Sequence, residues 1–474
     1  MDEKRRVTAW LEQEANRFYA LSDAIWRYPE LGMEEYHASK CLKAFLETEG
    51  FDVAPGAGGM PTAFVGSWGK GKPAIGINCE YDALPGLSQH PEPRQNPVVP
   101  GAPGHGCGHN ILGVGSIMAA AAVKSWRLKS AAPGKIVVLG CPAEEICVGK
   151  PFMARAGLFD DLDAVLDWHP SVYNGAPYDT CNAYFNIKYH FSGRTAHGNA
   201  PWMGRSALDA AVLMGHAIEL LREHIPPGHP DAANTLNYTF SEVGPEYPNV
   251  VPDRSTLWMI GRITTAAEMA RIIPRIDRCA EAAALATETA WDREFITATH
   301  ERIPNETLSR VVHENLLNLR PPRFTAEEQA FAKEMQQDQG ARIMGLHEDV
   351  REFQGGTAGV SDNAEFSWFA PLTMLRMVTA PEGIGWHNWQ IAATSGMTIG
   401  RKGMVRAAQV LAASWVDLIR RPDLLTAAQA ERKERLAGRA YESLIPAGIG
   451  PPLALNRKTM EKYRPRLKAF KQST

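Results

Sequence analysis

Short apolar segments that alternate with helical segments constrain the fold of this chain more than any other feature. Continuous apolar strands of this kind belong to sheets that helices cover on both faces. The strands are followed by polar residues, as expected where the carboxyl ends of an α/β sheet carry a site. We predict a β segment at 63–69, strands at 74–79, 135–139 and 164–166, and helices at 7–28, 37–49 and 112–128. The sequence therefore predicts an α/β, sheet-centred fold.

From about Ala183 the pattern changes to strands with one exposed face and two long amphipathic helices. The order of elements is β-α-β-β-α-β, which is typical of a ferredoxin-like unit. The strands are expected at 184–191, 236–243, 255–263 and 290–299, and the helices at 205–224 and 266–287. We interpret this unit as an insertion, so that the chain divides into 1–182, 183–300 and 301–474.

The third segment is expected to complete the first sheet. A helix at 327–339, an apolar strand at 373–378 and a buried helix at 403–419 supply the missing elements. The basic, proline-containing tail beyond Arg421 is expected to lie across the surface.

Composition excludes several classes of function. The chain has 474 residues and a formal net charge of -3, which argues against a general nucleic-acid surface. The first fourteen residues are charged and lack the apolar core of a signal peptide, and we expect no membrane span. Seven cysteines, an odd number in a large chain, favour reduced thiols over a disulfide framework. We therefore expect a cytoplasmic protein.

The segment Gly104-His105-Gly106-Cys107-Gly108-His109-Asn110 is the strongest local motif. Cys107 and His109 stand two positions apart, so a looped backbone can turn both toward one point. Thiolate and imidazole are ligands that suit Zn²⁺ and related metals. The glycines allow a tight turn close to an ion. The alternative is a turn that caps the following helix, with a buried cysteine and incidental histidines.

Further ligand-type residues follow the other predicted strands, and they favour the metal site. Glu80 and Asp82 follow residues 74–79, and the pair Glu144-Glu145 follows residues 135–139. The remaining strand-end candidates are His169 and His387. With Cys107 and His109, the residues Glu145, His169 and His387 form a mixed set of S, N and O ligands large enough for two ions.

The adjacent glutamates are expected to have different roles, because successive side chains diverge. By their order alone we assign Glu144 as the general base and Glu145 as a metal ligand. The alternative is a solvated acidic turn. If two ions are bound, one ligand must bridge them, and the Cys107 thiolate is the best-placed candidate. Two neighbouring ions polarise a carbonyl and activate a water, which suits the hydrolysis of an amide bond.

These residues together resemble the aminoacylase and glutamate-carboxypeptidase family of dinuclear metallopeptidases. The nearest branch is the amidohydrolases that carry Cys-Gly-His in place of the usual metal-binding aspartate. The resemblance runs through most of the chain: Glu80 to Leu84, Gly104 to Asn110, Gly140-Cys141-Pro142 with Glu144-Glu145, Trp168-His169-Pro170, Ala196-His197, Gly204 to Ala210, Pro248 to Val251, His387 with Trp389-Gln390, and Lys402-Gly403-Met404.

The resemblance implies a catalytic domain, a lid domain that also dimerises, and two divalent metal ions, Mn²⁺ or Zn²⁺. It implies as ligands Cys107, His109, Glu145, His169 and His387, with Glu144 as the base. The lid residue His197 would reach the partner subunit's site and stabilise the oxyanion.

Substrate recognition is also implied by the resemblance. Asn249 and Arg262 match positions that bind the substrate's carboxylate, and the planar fork of an arginine suits that task. For Arg262, a surface position at a strand end is the alternative. The implied reaction is cleavage of an N-acyl or N-aroyl amino acid such as p-aminobenzoyl-glutamate, with indole-acetyl-aspartate-type conjugates as the second candidate.

The chain departs from the family pattern at Ile146-Cys147-Val148, where small residues are usual, and at Trp202-Met203. A bulkier lining at the first segment can change the acyl or aryl group accepted. Two other functions remain open: a non-catalytic scaffold that supports a sister chain in a hetero-oligomer, and a metal-storage or sensing protein. Neither has a need for the base Glu144 or for the lid residues His197 and Arg262.

Overall fold

The computed structural model describes residues 2–473, without the side chains of residue 2 and of residues 470–473. Met1 and Thr474, at the two ends of the predicted segments, lie outside the described residues. The strands are β1 Asp52–Pro55, β2 Phe64–Lys70, β3 Ala74–Glu80, β4 Gly134–Cys141, β5 Ala164–Ser171, β6 Ala183–Ser192, β7 Gly228–His229, β8 Ala232–Ala233, β9 Thr235–Gly244, β10 Arg254–Ile263, β11 Ala290–Thr299 and β12 Leu372–Val378.

The α-helices surround two separate sheets. They are α1 Asp2–Trp26, α2 Tyr36–Thr48, α3 His109–Ser130, α4 Gly149–Arg155, α5 Ala207–Arg222, α6 Ala266–Thr287, α7 Glu306–Leu319, α8 Ala326–Asp338, α9 Ala364–Ser367, α10 Trp389–Ser395, α11 Thr398–Arg420, α12 Pro422–Leu436 and α13 Arg457–Ser473.

The first sheet has six strands in the order β1-β2-β4-β3-β5-β12. Strands β4, β3, β5 and β12 are parallel, and β1 and β2 form an antiparallel extension. Every residue of β3 is buried, as predicted for an apolar strand covered on both faces. The α/β, sheet-centred fold predicted from the sequence is thus confirmed.

Helix α3 lies at the centre of the larger core. Its 22 residues are long and apolar enough to cross a membrane, but 83% of its most apolar window is buried inside the protein. It packs against α1, α11 and strand β3. This is the environment of a core helix, and it fixes the start of α3 at the edge of the sheet.

The second sheet has the order β11-β6-β10-β9, with all neighbours antiparallel. Helices α5 and α6 pack on this sheet and on each other. The chain order β6-α5-β9-β10-α6-β11 is the predicted β-α-β-β-α-β order, interrupted by the small hairpin β7–β8, which the sequence pattern did not indicate. The role of this unit as a lid stays a prediction.

Three expectations need correction. His169 lies inside β5 and does not follow the strand, because β5 continues to Ser171 alongside β12. Helix α7, which packs against β12 and α11, was missed. The tail beyond Arg421 contains two helices, α12 and α13, where only a surface segment was expected. Helix α13 buries Met460, Tyr463 and Leu467 against an apolar cluster that contains Tyr28 and Val99.

Candidate active site

The predicted ligand residues come from four parts of the chain and meet at one edge of the six-stranded sheet. Cys107 and His109 lie at the start of α3, and Glu144 and Glu145 lie on a short 3₁₀ turn after β4. His169 belongs to β5, and His387 lies in the loop between β12 and α10. A cleft of about 620 Å³ is lined by Cys107, Glu144, Glu145, His169 and His387, and His109 is fully buried beside them.

Glycines allow the loop before α3 to pass close to other backbone. A Cβ atom on Gly104 would lie 1.9 Å from the Leu87 carbonyl oxygen, so no side chain is possible there. Gly108, immediately before α3, has a φ of 76°, which is the left-handed region that favours glycine. The loop thereby presents Cys107 to the cleft while His109 opens the helix.

The turn that carries the two glutamates is strained on both sides. Ala143 and Cys147 have φ angles of 56° and 54°, although neither is a glycine. Residues held in this region cost about 1–3 kcal/mol each and cluster at functional sites. Cys147 is buried and also lines the cleft.

Ligand atoms converge in three groups. The atoms within each group lie within 4.8 Å of one another, and the groups are Cys107 with His109 and His169, Cys107 with Glu145 and His387, and Glu80 with His109 and Glu144. The Cys107 Sγ atom lies 3.3 Å from His169 Nε2, and His387 Nε2 lies 3.2 Å from a Glu145 carboxylate oxygen. Because Cys107 belongs to two groups, its sulfur is placed where a ligand shared by two ions would lie.

Asp82 orients two of these residues. Its carboxylate accepts a hydrogen bond of 2.8 Å from His109 Nδ1 and one of 2.9 Å from the backbone N–H of Glu145. The opposite nitrogen of His109, Nε2, is buried and has no hydrogen-bond partner among the described residues, and the same holds for Glu145 Oε1. Nε2 lies 3.4 Å from a Glu80 carboxylate oxygen, and a histidine whose other nitrogen is fixed by a carboxylate is the usual arrangement of a metal ligand. The donor set therefore suits a divalent ion.

His169 is oriented by backbone. Its Nδ1 lies 2.7 Å from the carbonyl oxygen of Pro170, so Nδ1–H donates and Nε2 is left as an acceptor toward Cys107. Burial and the positive charge of Arg376 lower the pKa of His169 to about 3. The imidazole is therefore neutral at physiological pH, which is the form that binds metal.

The carboxyl groups of the turn lie in an environment that opposes their negative charge. Burial and the nearby charge of Glu80 raise the pKa of Glu144 to about 7. Burial also raises the pKa of Glu145 well above its usual value. Such crowding of buried acidic groups is typical of catalytic and metal-binding sites.

A buried ion-pair network lies next to the ligand residues. The sequence pattern did not indicate it. Lys150 is fully buried, and its ammonium contacts Asp362 and lies 2.8 Å from Glu80. Asn78 donates a second hydrogen bond of 2.7 Å to Glu80. Burial alone would raise the pKa of Glu80, but Lys150 and His109 outweigh it and lower this pKa to about 2. A lysine in the otherwise apolar start of α4 was the only signal in the sequence.

We expect that replacing Lys150 with methionine lowers the free energy of unfolding by about 3–5 kcal/mol, because Glu80 and Asp362 are then left buried without their counter-ion. Lys72→Met is the matched control: Lys72 pairs with Asp163 at 3.1 Å, but its side chain is 61% exposed. Exposed pairs contribute about 0–1 kcal/mol. Chemical denaturation of both variants measures the difference. Equal shifts would show that the buried network does not stabilise the fold.

The three predicted residues within 183–300 lie in two places. Arg262, on β10, lines the cleft together with Cys107 and Glu144. His197 and Asn249 are exposed and adjacent: the backbone N–H of Gly198 donates to the Asn249 carbonyl at 2.6 Å. Neither of them lines the cleft of its own chain.

Comparisons with known proteins agree with this geometry. The family model described as Peptidase family M20/M25/M40 matches residues 76–388. The chain is 33% identical to the B subunit of p-aminobenzoyl-glutamate hydrolase from Escherichia coli (strain K12), over 93% of this chain and 97% of that protein. It is 31% identical to Xaa-Arg dipeptidase of Mus musculus, over 91% of this chain and 93% of that protein.

Among solved structures, the aminobenzoyl-glutamate utilization protein from Klebsiella pneumoniae has a similar fold. Its TM-score is 0.58 at 17% identity, and the match covers 85% of this chain and 98% of that one. The family match, residues 76–388, includes the cleft residues Cys107, Glu144, Glu145, His169, Arg262 and His387. The chain therefore belongs to peptidase family M20/M25/M40 and is a metal-dependent amide hydrolase.

Proposed function

We propose that this chain hydrolyses the amide bond of an N-acyl or N-aroyl amino acid, with p-aminobenzoyl-glutamate as the leading candidate substrate. The observation that carries the proposal is the cleft in which two ligand groups share Cys107 beside the buried Glu144, with Arg262 opposite. The name of the relative from Escherichia coli supports the candidate substrate. Indole-acetyl-aspartate-type conjugates are the second candidate.

The ligands in this proposal are Cys107, His109, Glu145, His169 and His387, which together would hold two divalent ions. Divalent ions bound there would polarise the substrate carbonyl and lower the pKa of a water. Mn²⁺ and Zn²⁺ both suit the site, and the thiolate favours Zn²⁺ or Co²⁺ over harder ions.

Glu144 has the position of a general base. Its carboxylate lines the cleft but makes no hydrogen bond to another described side chain, and one of its oxygens lies 3.9 Å from His109 Nε2. Glu145 is held instead by Asp82 and His387. Glu144 is thus free to accept the proton of the attacking water and to pass it to the departing nitrogen.

In this proposal the residues that recognise the substrate come from the unit 183–300. Arg262 and Asn249 would bind the α-carboxylate of the substrate, and His197 would donate to the oxyanion. Because His197 and Asn249 lie outside the cleft of their own chain, they would act in the site of a partner subunit. Asn237 is the only described partner of the Arg262 side chain, at a long 3.4 Å, so the guanidinium is available to substrate.

A homodimer formed through the second sheet would provide that partner. Among the described strands β9 pairs only with β10, and half of its residues are exposed. Helix α5 exposes Val212, Leu213 and Leu220. Exposed sheet edges and apolar patches of this kind mark association surfaces. A hetero-oligomer with a sister chain is the alternative, because the relative from Escherichia coli is named as one subunit of its hydrolase.

The seven cysteines are free, which supports the proposed cytoplasmic location.

We expect that Cys107→Ser leaves fewer than two metal ions per chain. The variant loses the ligand that the His109–His169 group shares with the Glu145–His387 group. Elemental analysis of the purified protein measures this directly. Cys79→Ser is the matched control, since Cys79 is also buried but belongs to none of the three ligand groups. Full metal content in Cys107→Ser would remove Cys107 from the ligand set.

The proposed function is tested with metal-reconstituted protein and a panel of N-acyl amino acids that varies each half of the substrate. The acyl groups are p-aminobenzoyl, indole-acetyl and acetyl, and the amino acids are glutamate, aspartate, leucine and arginine. We expect hydrolysis, fastest for p-aminobenzoyl-glutamate. If the metal-loaded protein cleaves no member of the panel, the non-catalytic scaffold becomes the better account.

A further inference from the structure

One charged side chain of the cleft, Arg376, has no assigned role beyond its effect on the pKa of His169. Arg376 is the only charged residue of β12, whose other members are Leu, Thr, Met and Val. It is the register partner of His169 on the neighbouring parallel strand. Side chains alternate between the faces of a sheet, so register partners project from the same face. Arg376 therefore lies on the face that carries His169, and it lines the same cleft.

Arg376 is half-buried, and its guanidinium has no counter-ion in direct contact. It makes no side-chain hydrogen bond and no ion pair within 4.0 Å among residues 2–473. Asp179 lines the cleft too: burial raises its pKa, and the charges of Arg302 and Arg376 oppose that rise, but Asp179 and Arg376 form no ion pair within 4.0 Å. Burial of a charge without a partner is unfavourable, and arginine is rarely placed in a buried strand without one. An anionic ligand in the cleft would supply the missing partner.

A second guanidinium faces the same space. Arg262 enters the cleft from β10 of the other sheet, and Arg376 enters it from β12 beside the metal ligands. Arginine pairs with carboxylates through two parallel hydrogen bonds. One arginine suffices for the α-carboxylate that every N-acyl amino acid carries. Two arginines from separate elements suit a substrate with two carboxylates.

We propose that Arg376 is the specificity-determining residue of this cleft, and that it binds the side-chain carboxylate of an acidic amino-acid part while Arg262 binds the α-carboxylate. The inference rests on the proposed function and adds to it the residue that selects the amino acid. The same positive charge disfavours a cationic amino-acid part such as arginine, because like charges in a partly desolvated cleft repel.

The test compares glutamate with its neutral isostere glutamine in two assays. The first is kcat/KM for p-aminobenzoyl-glutamate and p-aminobenzoyl-glutamine. The second is calorimetric binding of free glutamate and glutamine to the metal-loaded protein, which needs no turnover. The variants are Arg376→Met, Arg376→Lys and Arg262→Met. The glutamate-to-glutamine ratio is the readout, because any general damage to the site affects both compounds alike.

We expect wild type to prefer the glutamate compound by a factor on the order of 10–100, as for one hydrogen-bonded pair with a charged group. Arg376→Met should abolish this preference, mainly through KM, and Arg376→Lys should restore part of it. Arg262→Met should lower kcat/KM and binding equally for both compounds and leave the glutamate-to-glutamine ratio unchanged.

Two outcomes overturn the inference. If Arg376→Met lowers kcat/KM and binding equally for the glutamate and glutamine compounds, Arg376 only supports the structure of the site. If it leaves the preference for glutamate intact, another group binds the side-chain carboxylate of the substrate. Absence of hydrolysis in wild type would contradict the proposed function, and the binding assay would still decide the role of Arg376.

Discussion

Replacing Glu144 with glutamine should lower kcat by a factor on the order of 10²–10⁴, the usual contribution of a positioned general base. Glutamine has nearly the same shape as glutamate but cannot accept the proton of the attacking water. Because Glu144 is not in the proposed ligand set, the variant should keep two metal ions. Steady-state kinetics and elemental analysis of the same preparation measure both effects.

Glu145→Gln is the matched control, since it changes the adjacent residue of the same 3₁₀ turn. It should lose metal as well as activity, because Glu145 is the residue held against His387 at 3.2 Å. The opposite pattern, with metal lost from Glu144→Gln and kept in Glu145→Gln, would mean that the two roles are exchanged. A near-normal kcat in metal-loaded Glu144→Gln would exclude Glu144 as the base.

The second large effect concerns the proposed action of His197 across a dimer. His197→Ala should lower kcat by a factor on the order of 10²–10³, as for the loss of one oxyanion donor. If the partner subunit's His197 completes each site, the His197→Ala and Glu144→Gln chains fail for different reasons. A heterodimer of the two chains then contains one site in which both residues are intact.

Mixing equal amounts of the two inactive variants under conditions of subunit exchange should therefore restore activity to about a quarter of the wild-type sites, given a symmetric dimer. The activity of the mixture, measured after exchange is shown by labelled subunits, tests this. A mixture of Glu144→Gln with Glu145→Gln is the control, because both defects then lie in the same half of the site. No recovery in the first mixture, despite exchange, would place His197 outside catalysis or in the site of its own chain.

The strands that position the site could be predicted because short runs of apolar residues indicate buried strands. Residues 74–79 are apolar except for Asn78, and β3 is buried throughout. The elements of the second sheet were predicted to within two residues, because their alternation and helical periodicity are regular. The ligand candidates were found by the same reasoning, since the carboxyl ends of parallel strands meet at one edge. The structure brings these candidates together, and their individual roles stay predictions.

What could not be predicted depends on pairing between distant parts of the chain. The strand containing His169 continues to Ser171 because β12, about two hundred residues later, pairs with it. Lys150 finds its counter-ion Asp362 212 residues away. Arg376 was overlooked within an apolar strand, because only its register with His169 shows which face it occupies. Local patterns carry no information on such partners.

In the proposed function the cleft binds two divalent ions and hydrolyses an amide bond. The most direct test titrates chelator-treated protein with Mn²⁺ or Zn²⁺ while the release of p-aminobenzoate from p-aminobenzoyl-glutamate is followed. We predict no hydrolysis before metal is added and a plateau of activity at about two equivalents per chain, as for a paired-ion site. Full activity in the metal-free protein, or two bound ions without hydrolysis of this or any other N-acyl amino acid, would contradict the account.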